Sequence, residues 1–302
     1  MSDAPARVHQ RATASTVVIA ANPAAGRGQG AALADQAALD LVRAGHRIHR
    51  LNTQRSDASQ WLDGPLQTAA ALLVVGGDGT VRACAPRAAA MGVPIRQLPA
   101  GTENLFARQF RQSGGIGEFI SALAHPRLQR CDLWQANGEP FLLMCSAGFD
   151  AEVVATVAGS RGRSISRLTY LAPILQAGWK WRAPTWTIES DGHSAVDFGR
   201  GTLVCANCPV YACGLDPIPA AQPDDSLLDM ALLPCTTGIG AMGWKLRLGC
   251  SRPRLTVSRS SRLLVQSRQP FRVQIDGDPL SPEPLERLEI NRIMPPLMVL
   301  SD

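Results

Sequence analysis

Apolar residues in the first 125 positions occur in short blocks, and each block ends in a turn rich in glycine or small polar residues. Four blocks have the length and β-branched content of strands, at 16–21, 47–52, 72–75 and 93–98. Segments rich in Ala and Leu, or otherwise of helical pattern, follow them at 30–44, 56–62, 81–90 and 105–110. This alternation predicts an α/β domain with a mostly parallel sheet and helices on both faces.

Three of the turns follow predicted strands, at 22–28, 76–80 and 101–104. Right-handed crossovers in a parallel sheet bring the carboxyl ends of all strands to the same edge. The three turns are therefore expected to meet there, and this convergence says more about function than any one turn does.

After about residue 125 the pattern changes to short strand-like runs, punctuated by Pro, Gly and Asp. These runs lie at 129–134, 140–147, 185–189, 202–206, 227–233, 254–257, 263–266, 271–275 and 285–290. They predict a C-terminal antiparallel β-sandwich or barrel, interrupted by an amphipathic helix at 165–180. The expected organisation is a loose tail over 1–15, an α/β domain over 16–125 and a β domain over 126–302, whose last segment packs back on the first domain.

The composition excludes several classes of protein and of nucleotide-binding site. The chain has 302 residues and lacks an apolar run long enough to span a membrane, and its polar N-terminus does not resemble a signal peptide. Eight irregularly spaced cysteines are typical of reduced thiols, so the predicted location is the cytoplasm. The net charge of +5 is modest and predicts no nucleic-acid partner. Lys180 and Lys245 are the only lysines, which excludes the lysine-containing phosphate loop of many nucleotide-binding proteins.

The turn Gly76-Gly77-Asp78-Gly79-Thr80 is the strongest candidate for chemistry. Its glycines let a ligand approach the main chain, and the helix that follows presents unpaired N–H groups that favour phosphate. An acid at such a place usually serves phosphates through Mg²⁺. A plain strand-to-helix turn has the same appearance, so this turn alone leaves both interpretations open.

Six segments together resemble the diacylglycerol kinase catalytic family, which includes bacterial lipid kinases, sphingosine kinases and ceramide kinases. They are NPAAGRG at 22–28, VVGGDGTV at 74–81, LPAGTENLFAR at 98–108, CSAGFDAEV at 145–153, PDDSLLDMALL at 223–233 and QIDGD at 274–278, in the order of the family. The resemblance implies a fold shared with NAD kinases, with an ATP site between the α/β domain and a β-sandwich. It also implies transfer of the γ-phosphoryl group to a lipid hydroxyl, with ATP and Mg²⁺ as cofactors.

Candidate nucleotide-binding residues follow from these turns and from the resemblance. They are Asn22, Pro23, Gly26, Arg27, Thr53, Gly76, Gly77, Asp78, Gly79, Thr80, Thr102 and Asn104. For Thr53, Thr102 and Asn104 the alternative is a helix N-cap, which uses the same side-chain oxygen.

Asp276 and Asp278 flank Gly277 after an alternating strand, which by itself predicts only a hairpin turn. The resemblance adds a catalytic role: one of the two is the general base for the lipid hydroxyl, and the other orients it or contacts the metal. Asp78 is the third candidate catalytic residue and a metal ligand. The family has a longer acid at 278, so which of the pair is the base stays open.

A second metal site is implied at the Asp224-Asp225-Ser226 turn. Asp225 resembles the family's structural Mg²⁺ ligand, with the main-chain carbonyls of Gln222 and Leu227 completing the site. Ser226 stands where the family usually has glycine. The spacing of Cys205 and Cys208, together with Cys213, suggests zinc, but a fourth ligand at a matching spacing is missing and buried thiols explain the pattern better.

The expected function is therefore an ATP- and Mg²⁺-dependent lipid kinase, cytoplasmic and peripheral at the membrane, with a homodimer as a further possibility. Two alternatives are a kinase of a soluble acceptor such as NAD and an inactive nucleotide-binding regulator. The cluster of Trp179, Trp181 and Trp186 with Lys180 and Arg182 fits either a membrane-interface patch or, as the commoner outcome, core and rim positions of a domain.

Overall fold

The computed structural model describes residues 15–54, 56–112, 115–158, 178–179, 181–211, 214–251 and 255–301. Of the helix expected over 165–180, all but 178–179 lies outside the described residues. Within the described residues, no helix combines the length and apolar character needed to cross a bilayer.

The first domain is built on four parallel strands in the order β4-β3-β1-β2. They are β1 (Thr16–Ala21), β2 (Arg47–Asn52), β3 (Ala71–Gly76) and β4 (Ile95–Pro99). The helices are α1 (Ala25–Gly28), α2 (Gly30–Arg43), α3 (Ser59–Leu66), α4 (Asp78–Ala90), α5 (Leu105–Gln109) and α6 (Ile116–Ala124). β1 and β3 are buried throughout because helices cover both faces of the sheet, which explains their continuous apolar sequences.

Alternate residues of these strands feed two cores. Val18 and Val74 pack with side chains of α3 and α4 on one face. Ile19 and Val75 pack with α2 and α6 on the other. The first core continues into the second domain through residues such as Leu143, so one apolar interior joins the two domains.

Among the residues that the structure describes, the second domain contains antiparallel strands and the helices α7 (Phe149–Ala158) and α8 (Gly238–Ser251). The strands are β5 (Arg127–Ala136), β6 (Glu139–Phe141), β7 (Met144–Ala147), β8 (Thr185–Ser190), β9 (Val196–Ala206), β10 (Leu228–Pro234), β11 (Val257–Ser260), β12 (Arg262–Phe271), β13 (Val273–Ile275), β14 (Asp278–Pro279) and β15 (Leu285–Ser301). Trp134, Trp186 and Phe271 lie in its core, with the rings of Trp186 and Phe271 edge to face at 4.9 Å. The predicted α/β domain followed by an antiparallel β-sandwich is confirmed.

β15 belongs to both domains. It pairs antiparallel with β12 and β5, and near its end it pairs parallel with β4, where Val299 lies opposite Ile95. The Gln112 side chain adds a buried hydrogen bond to the Leu300 carbonyl at 2.7 Å. The last strand thus completes the edge of the first domain's sheet.

Candidate active site

A cavity of about 620 Å³ lies between the two domains. Its first wall is made by the turns after β1, β3 and β4, which the topology brings to one edge of the sheet as expected. Its second wall is made by Met144, Val154, Tyr211, Gln274 and the turn 276–278. A volume of this size suits a ligand such as a nucleotide, since small-molecule sites usually measure about 300–1,000 Å³.

The glycines of the first wall let neighbouring turns touch. A Cβ on Gly101 would lie 2.7 Å from the Cα of Gly77, and a Cβ on Gly76 would lie 2.4 Å from Thr80 Oγ1. Gly26 has a φ of +60°, which favours glycine, and its Cα faces the carbonyl of Ala100. Packing between turns therefore explains much of the glycine pattern, while Gly79 stays at the cavity surface.

Asn22 joins the first turn to the second. Its Oδ1 accepts a hydrogen bond from the Ala24 N–H at 3.1 Å, and its Nδ2 donates to Thr80 Oγ1 at 3.4 Å. Asn22, Gly26 and Thr80 line the cavity, whereas Pro23 is exposed outside its wall. The backbone of Arg27 lies in α1, and its side chain is outside the described part of the chain.

Asp78 holds the second turn against the third. Its carboxylate accepts hydrogen bonds from the N–H groups of Leu105 at 3.0 Å and Phe106 at 2.9 Å, at the start of α5. Burial raises the pKa of the Asp78 carboxyl, and these two amides oppose the shift. Asp78 thus has a positioning function that its sequence context did not indicate.

The third turn is shaped by its own asparagine. Asn104 has a φ of 49°, and its side chain both accepts from the Gly101 N–H and donates to the Gly101 carbonyl, each at 2.9 Å. Thr102 and Glu103 are exposed at the cavity. Thr53 lies outside the cavity wall, with its N–H bonded to the Ala21 carbonyl, and it caps no helix because α3 begins at Ser59.

The two acids of the 276–278 turn have different surroundings. The Asp276 carboxylate accepts three main-chain hydrogen bonds, from Leu142 at 2.8 Å, Leu143 at 2.9 Å and Met144 at 3.0 Å. Burial raises the pKa of the Asp276 carboxyl, while the charge of Arg82 and the three amides oppose that rise. These contacts anchor the segment that enters β7.

Asp278 faces the cavity instead. Its Oδ2 lies 3.0 Å from Arg82 Nη2, and a Cβ on Gly79 would be 3.3 Å from the same oxygen. Its side chain is 30% exposed. Arg82 also donates to the Ile275 carbonyl at 2.6 Å, so it fixes the turn against α4. Arg82 was not among the residues predicted from the sequence, although its place one helical turn after Asp78 is a signal that could have identified it.

A chain of hydrogen bonds runs from the strand before this turn through the interior of the second domain. Gln274 Nε2 donates to Ser146 Oγ at 2.7 Å, and Ser146 donates to Asp150 Oδ2 at 2.5 Å. The Tyr211 hydroxyl donates to the same Asp150 oxygen at 2.6 Å. Ser146 and Asp150 lie in the CSAGFDAEV segment, to whose individual residues the sequence assigned no role.

Tyr211 is shared by the cavity and a narrow apolar cleft next to it. Phe149 and three side chains of α8, Ala241, Trp244 and Leu248, line this cleft. Its volume of about 20 Å³ is close to that of one water-sized sphere. Nothing in the sequence distinguishes these residues from an ordinary core.

The turn expected to bind a structural metal already contacts a positively charged side chain, that of Arg259. Asp225 Oδ1 accepts from the Leu227 N–H at 3.0 Å, and its buried Oδ2 lies 3.4 Å from Arg259 Nη2. Arg259 also bonds Asp229 Oδ1 at 2.8 Å through Nε. Gln222, whose carbonyl was predicted as a ligand, has an exposed side chain at the same turn.

Ser226 explains how this turn forms without glycine. Its φ is 70°, and its Oγ accepts a hydrogen bond from Arg130 at 2.8 Å. Its N–H donates to the buried Asp132 carboxylate at 2.6 Å. A left-handed residue costs about 1–2 kcal/mol when it carries a Cβ, and these two bonds offset that cost.

Among the described residues, no three His, Cys, Asp or Glu side chains form a ready-made metal cluster. Cys205 and Cys208 are buried, and burial raises the pKa of Cys205 to about 12, which disfavours the thiolate that zinc needs. The cavity wall nevertheless contains the carboxylates of Asp78, Glu103 and Asp278. They are spread around the wall, so a metal there would need further oxygens from a ligand.

Comparisons with known proteins agree with this geometry. The family described as "Diacylglycerol kinase catalytic domain" matches residues 16–136, and "YegS C-terminal NAD kinase beta sandwich-like domain" matches residues 144–300. A Pseudomonas aeruginosa PAO1 protein named "Probable lipid kinase YegS-like" is 32% identical over 247 residues, which cover 76% of this chain and 78% of that protein. A protein of the same name from Pseudomonas syringae pv. tomato is 28% identical over 249 residues, which cover 78% of each chain.

The fold is also that of a solved structure. A diacylglycerol kinase from Bacillus anthracis (strain Sterne) superposes with a TM-score of 0.72 at 21% identity, covering 95% of this chain and 97% of that one. At this level of identity the likeness concerns the fold alone.

Proposed function

We propose that this chain transfers the γ-phosphoryl group of ATP to a lipid hydroxyl. The premise is its family, since the chain belongs to the diacylglycerol kinase catalytic-domain family and to its YegS-like lipid kinases. The observation that carries the proposal is the position of Asp278. Its partly exposed carboxylate faces the interdomain cavity directly beside Gly79, at the turn where a phosphate would bind.

In this proposal the triphosphate of ATP lies along the turns after β1, β3 and β4. The N-terminus of the 13-residue helix α4 points into the same wall, and the positive end of its dipole favours anions. Asn22 and Thr80 hold the first two turns in a fixed relation, and Asp78 holds the second and third. Such a preformed wall is what catalysis of phosphoryl transfer requires, since positioning and electrostatics supply most of the rate.

The acids of the wall support the proposal that the nucleotide binds together with a divalent cation. Asp78, Glu103 and Asp278 would repel a bare triphosphate, whereas their oxygens suit Mg²⁺, which usually takes one or two carboxylates together with phosphate oxygens. Asp78 and Glu103 are close enough for Glu103 to raise the pKa of Asp78. Bound Mg²⁺ would neutralise the charge that develops on the transferred phosphoryl group.

Asp278 is the general base in this proposal. It accepts the proton of the acceptor hydroxyl as that oxygen bonds to the γ-phosphorus of ATP, the bond to the bridging oxygen breaks and ADP leaves. Arg82 holds the carboxylate in place. Asp276 orients the turn, because its carboxylate is already engaged by three main-chain amides. The sequence left this choice between the two acids open.

The lipid tail is proposed to follow the apolar cleft beside Tyr211. The cleft adjoins the cavity, and its walls are almost wholly apolar. Its present volume of about 20 Å³ is too small for an acyl chain, so α8 must move outward on binding. Tyr211, hydrogen-bonded to Asp150, would mark the boundary between tail and head group.

We also propose a structural metal at the Asp225 turn, bound more weakly than the family resemblance implies. The buried Oδ2 of Asp225, which lacks a hydrogen-bond donor, suits a cation together with the carbonyls of Gln222 and Leu227. Arg259 supplies a positive charge to the same oxygen. We therefore expect any metal here to bind weakly and to contribute little to stability.

A kinase assay with radiolabelled ATP and Mg²⁺ tests the proposed function. Mixed micelles would present diacylglycerol, monoacylglycerol, ceramide and sphingosine in parallel, with NAD as a soluble acceptor. Asp278→Asn should lower the rate of lipid phosphorylation by orders of magnitude, and Asp224→Asn, which changes an exposed acid, should not. Labelling of NAD alone would identify a soluble acceptor, and ATP binding without any transfer would identify a regulator; either result overturns the proposal.

A further inference from the structure

Helix α8 carries apolar side chains on two opposite faces. Ala241, Trp244 and Leu248 face inward and line the apolar cleft. Ile239 and Leu246 lie seven residues apart, on the same opposite face, and are 56% and 71% exposed. A helix of a globular protein normally turns polar residues to the solvent, so this outer face requires an explanation.

Trp179 extends the same exposed surface. It is 73% exposed, the largest value among the exposed large apolar side chains of the described residues. Its neighbour Gly178 packs so closely against Gly238, the first residue of α8, that a Cβ on Gly238 would lie 2.4 Å from the Cα of Gly178. This contact brings the backbone just before Trp179 against the first residue of α8, which Ile239 follows.

Cations surround these apolar groups. Arg182 is exposed, pairs through its backbone with Thr237 and donates to the Trp179 carbonyl at 3.1 Å. Arg247 is exposed on α8, with its guanidinium 4.6 Å from the ring centre of Trp244. In the sequence, the stretches 153–188 and 230–275, to which these residues belong, contain no Asp or Glu, although they include five and eight basic residues.

We propose that Trp179, Arg182, Ile239, Leu246 and Arg247, which we call the α8 face, dock on the surface of an anionic lipid bilayer. Exposed apolar side chains among cations, with no acid between them in sequence, complement a membrane whose lipids are negatively charged. An exposed indole is also favoured at the depth of the head groups.

The location of the α8 face gives it a function. The opposite side of the same helix lines the cleft proposed for the lipid tail, so docking would place that cleft about one helix diameter, roughly 10 Å, from the bilayer. This part of the inference rests on the proposed function. The outward movement of α8 needed to admit an acyl chain would then take place in contact with lipid.

Sedimentation with vesicles tests the docking. Vesicles of phosphatidylcholine with 30 mol% phosphatidylglycerol, a composition of about one anionic lipid in three, would be compared with vesicles of phosphatidylcholine alone. Wild type should bind the anionic vesicles, and raised salt should weaken the binding. Trp179→Ala with Leu246→Gln, and separately Arg182→Gln with Arg247→Gln, should each reduce the partition coefficient about 10-fold or more.

Leu39→Gln with Val42→Gln is the matched control. These side chains are 54% and 58% exposed on α2 of the first domain, and their replacement should leave vesicle binding unchanged. All variants should keep the wild-type Tm because they change exposed positions. Phosphorylation of dioctanoylglycerol below its micelle concentration should also be unchanged, since no bilayer is involved.

Three results would refute the proposal that the α8 face docks on an anionic bilayer. They are wild type that does not bind the anionic vesicles, face variants that bind like wild type, and a wild-type dimer that Leu246→Gln converts to a monomer. The last would identify the surface as a contact between two copies of the chain. Vesicle binding that depends on the face, without phosphorylation of any lipid, would support the docking surface and refute the proposed function, so the two failures can be told apart.

Discussion

The different surroundings of Asp276 and Asp278 lead to opposite expectations for the same substitution. Asp276→Asn should lower stability, with only a modest effect on turnover. Asp278→Asn should lower turnover by orders of magnitude and leave stability nearly unchanged. The pair is informative because the two residues are separated by one glycine and the change in each case is one atom in size.

The magnitudes follow from the contacts. The Asp276 Oδ1 accepts from two amides and Oδ2 from a third. An asparagine whose carbonyl oxygen takes the place of Oδ1 keeps the bonds from Leu143 and Met144. Its NH₂ group then lies opposite the Leu142 N–H, so one hydrogen bond is lost and two donors face each other. Hydrogen bonds to charged groups contribute about 1.5–3 kcal/mol each, and we expect a loss of about 2–4 kcal/mol. In a chain of this size that corresponds to a Tm lower by about 4–8 °C.

For Asp278 the main loss in stability is the ion pair with Arg82, which is partly exposed. Such pairs contribute about 0–1 kcal/mol, so the Tm should change by no more than about 2 °C. Removal of a general base typically lowers kcat by about 10²–10⁴-fold. We expect kcat to fall by that factor, with little change in the KM for ATP.

Thermal unfolding and steady-state kinetics on the same preparations check both expectations, with Asp224→Asn as the exposed control. The reasoning would be refuted if Asp276→Asn melted like wild type and lost turnover while Asp278→Asn remained active. Full activity in both variants would mean that 276–278 is only a turn and that the base lies elsewhere.

Other contacts lead to further expectations. Asp78→Asn removes one of the two amide bonds that fix α5, so Tm should fall by about 2–4 °C together with an orders-of-magnitude fall in the Mg²⁺-dependent rate; wild-type turnover would remove Asp78 from the mechanism. Asp225→Ala should lower the Tm more than chelation with EDTA does, because Arg259 already supplies a cation at 3.4 Å; a larger effect of EDTA would show that a metal dominates the turn. At Ser226, glycine relieves the left-handed strain of about 1–2 kcal/mol and alanine does not, so the glycine variant should melt higher than the alanine variant; the reverse order would contradict that strain. Ala241→Phe should fill the apolar cleft and raise the KM for a long-chain lipid without changing the KM for ATP; equal effects on both would disconnect the cleft from the acceptor.

The sequence predicted the fold well because the fold depends on periodicity. β1 and β3 read as buried strands, and helices on both faces explain why they can be apolar throughout. The meeting of three turns at one edge followed from topology alone. The helix after Gly77 begins at Asp78, three residues before its predicted start, because Gly77 itself takes the N-cap position.

Individual roles in the site were harder to predict because they depend on partners distant in sequence. From the sequence, Asp276 is predicted only as an acid in a hairpin turn. The three main-chain N–H groups of residues 142–144 that donate to its carboxylate are more than 130 positions away. Arg82 reads as an ordinary helix residue, yet its partners are about 195 positions away. Ser226 departs from the family pattern in the sequence, but no sequence pattern predicts the hydrogen bond from Arg130 to its hydroxyl that compensates for the missing glycine.

The pairing of β15 with β4 has a consequence for the order in which the protein can form during synthesis. The first domain leaves the ribosome first, but its sheet lacks one neighbour of β4 until residues 285–301 have also emerged. During that interval the edge of β4 lacks its pairing with β15, and the Gln112 side chain lacks its hydrogen bond to the Leu300 carbonyl. Early domains often fold as units while translation continues. Here the first domain can reach its final state only after residues 285–301 have been made, so the edge of β4 is the place where a nascent chain would depend on protection from aggregation.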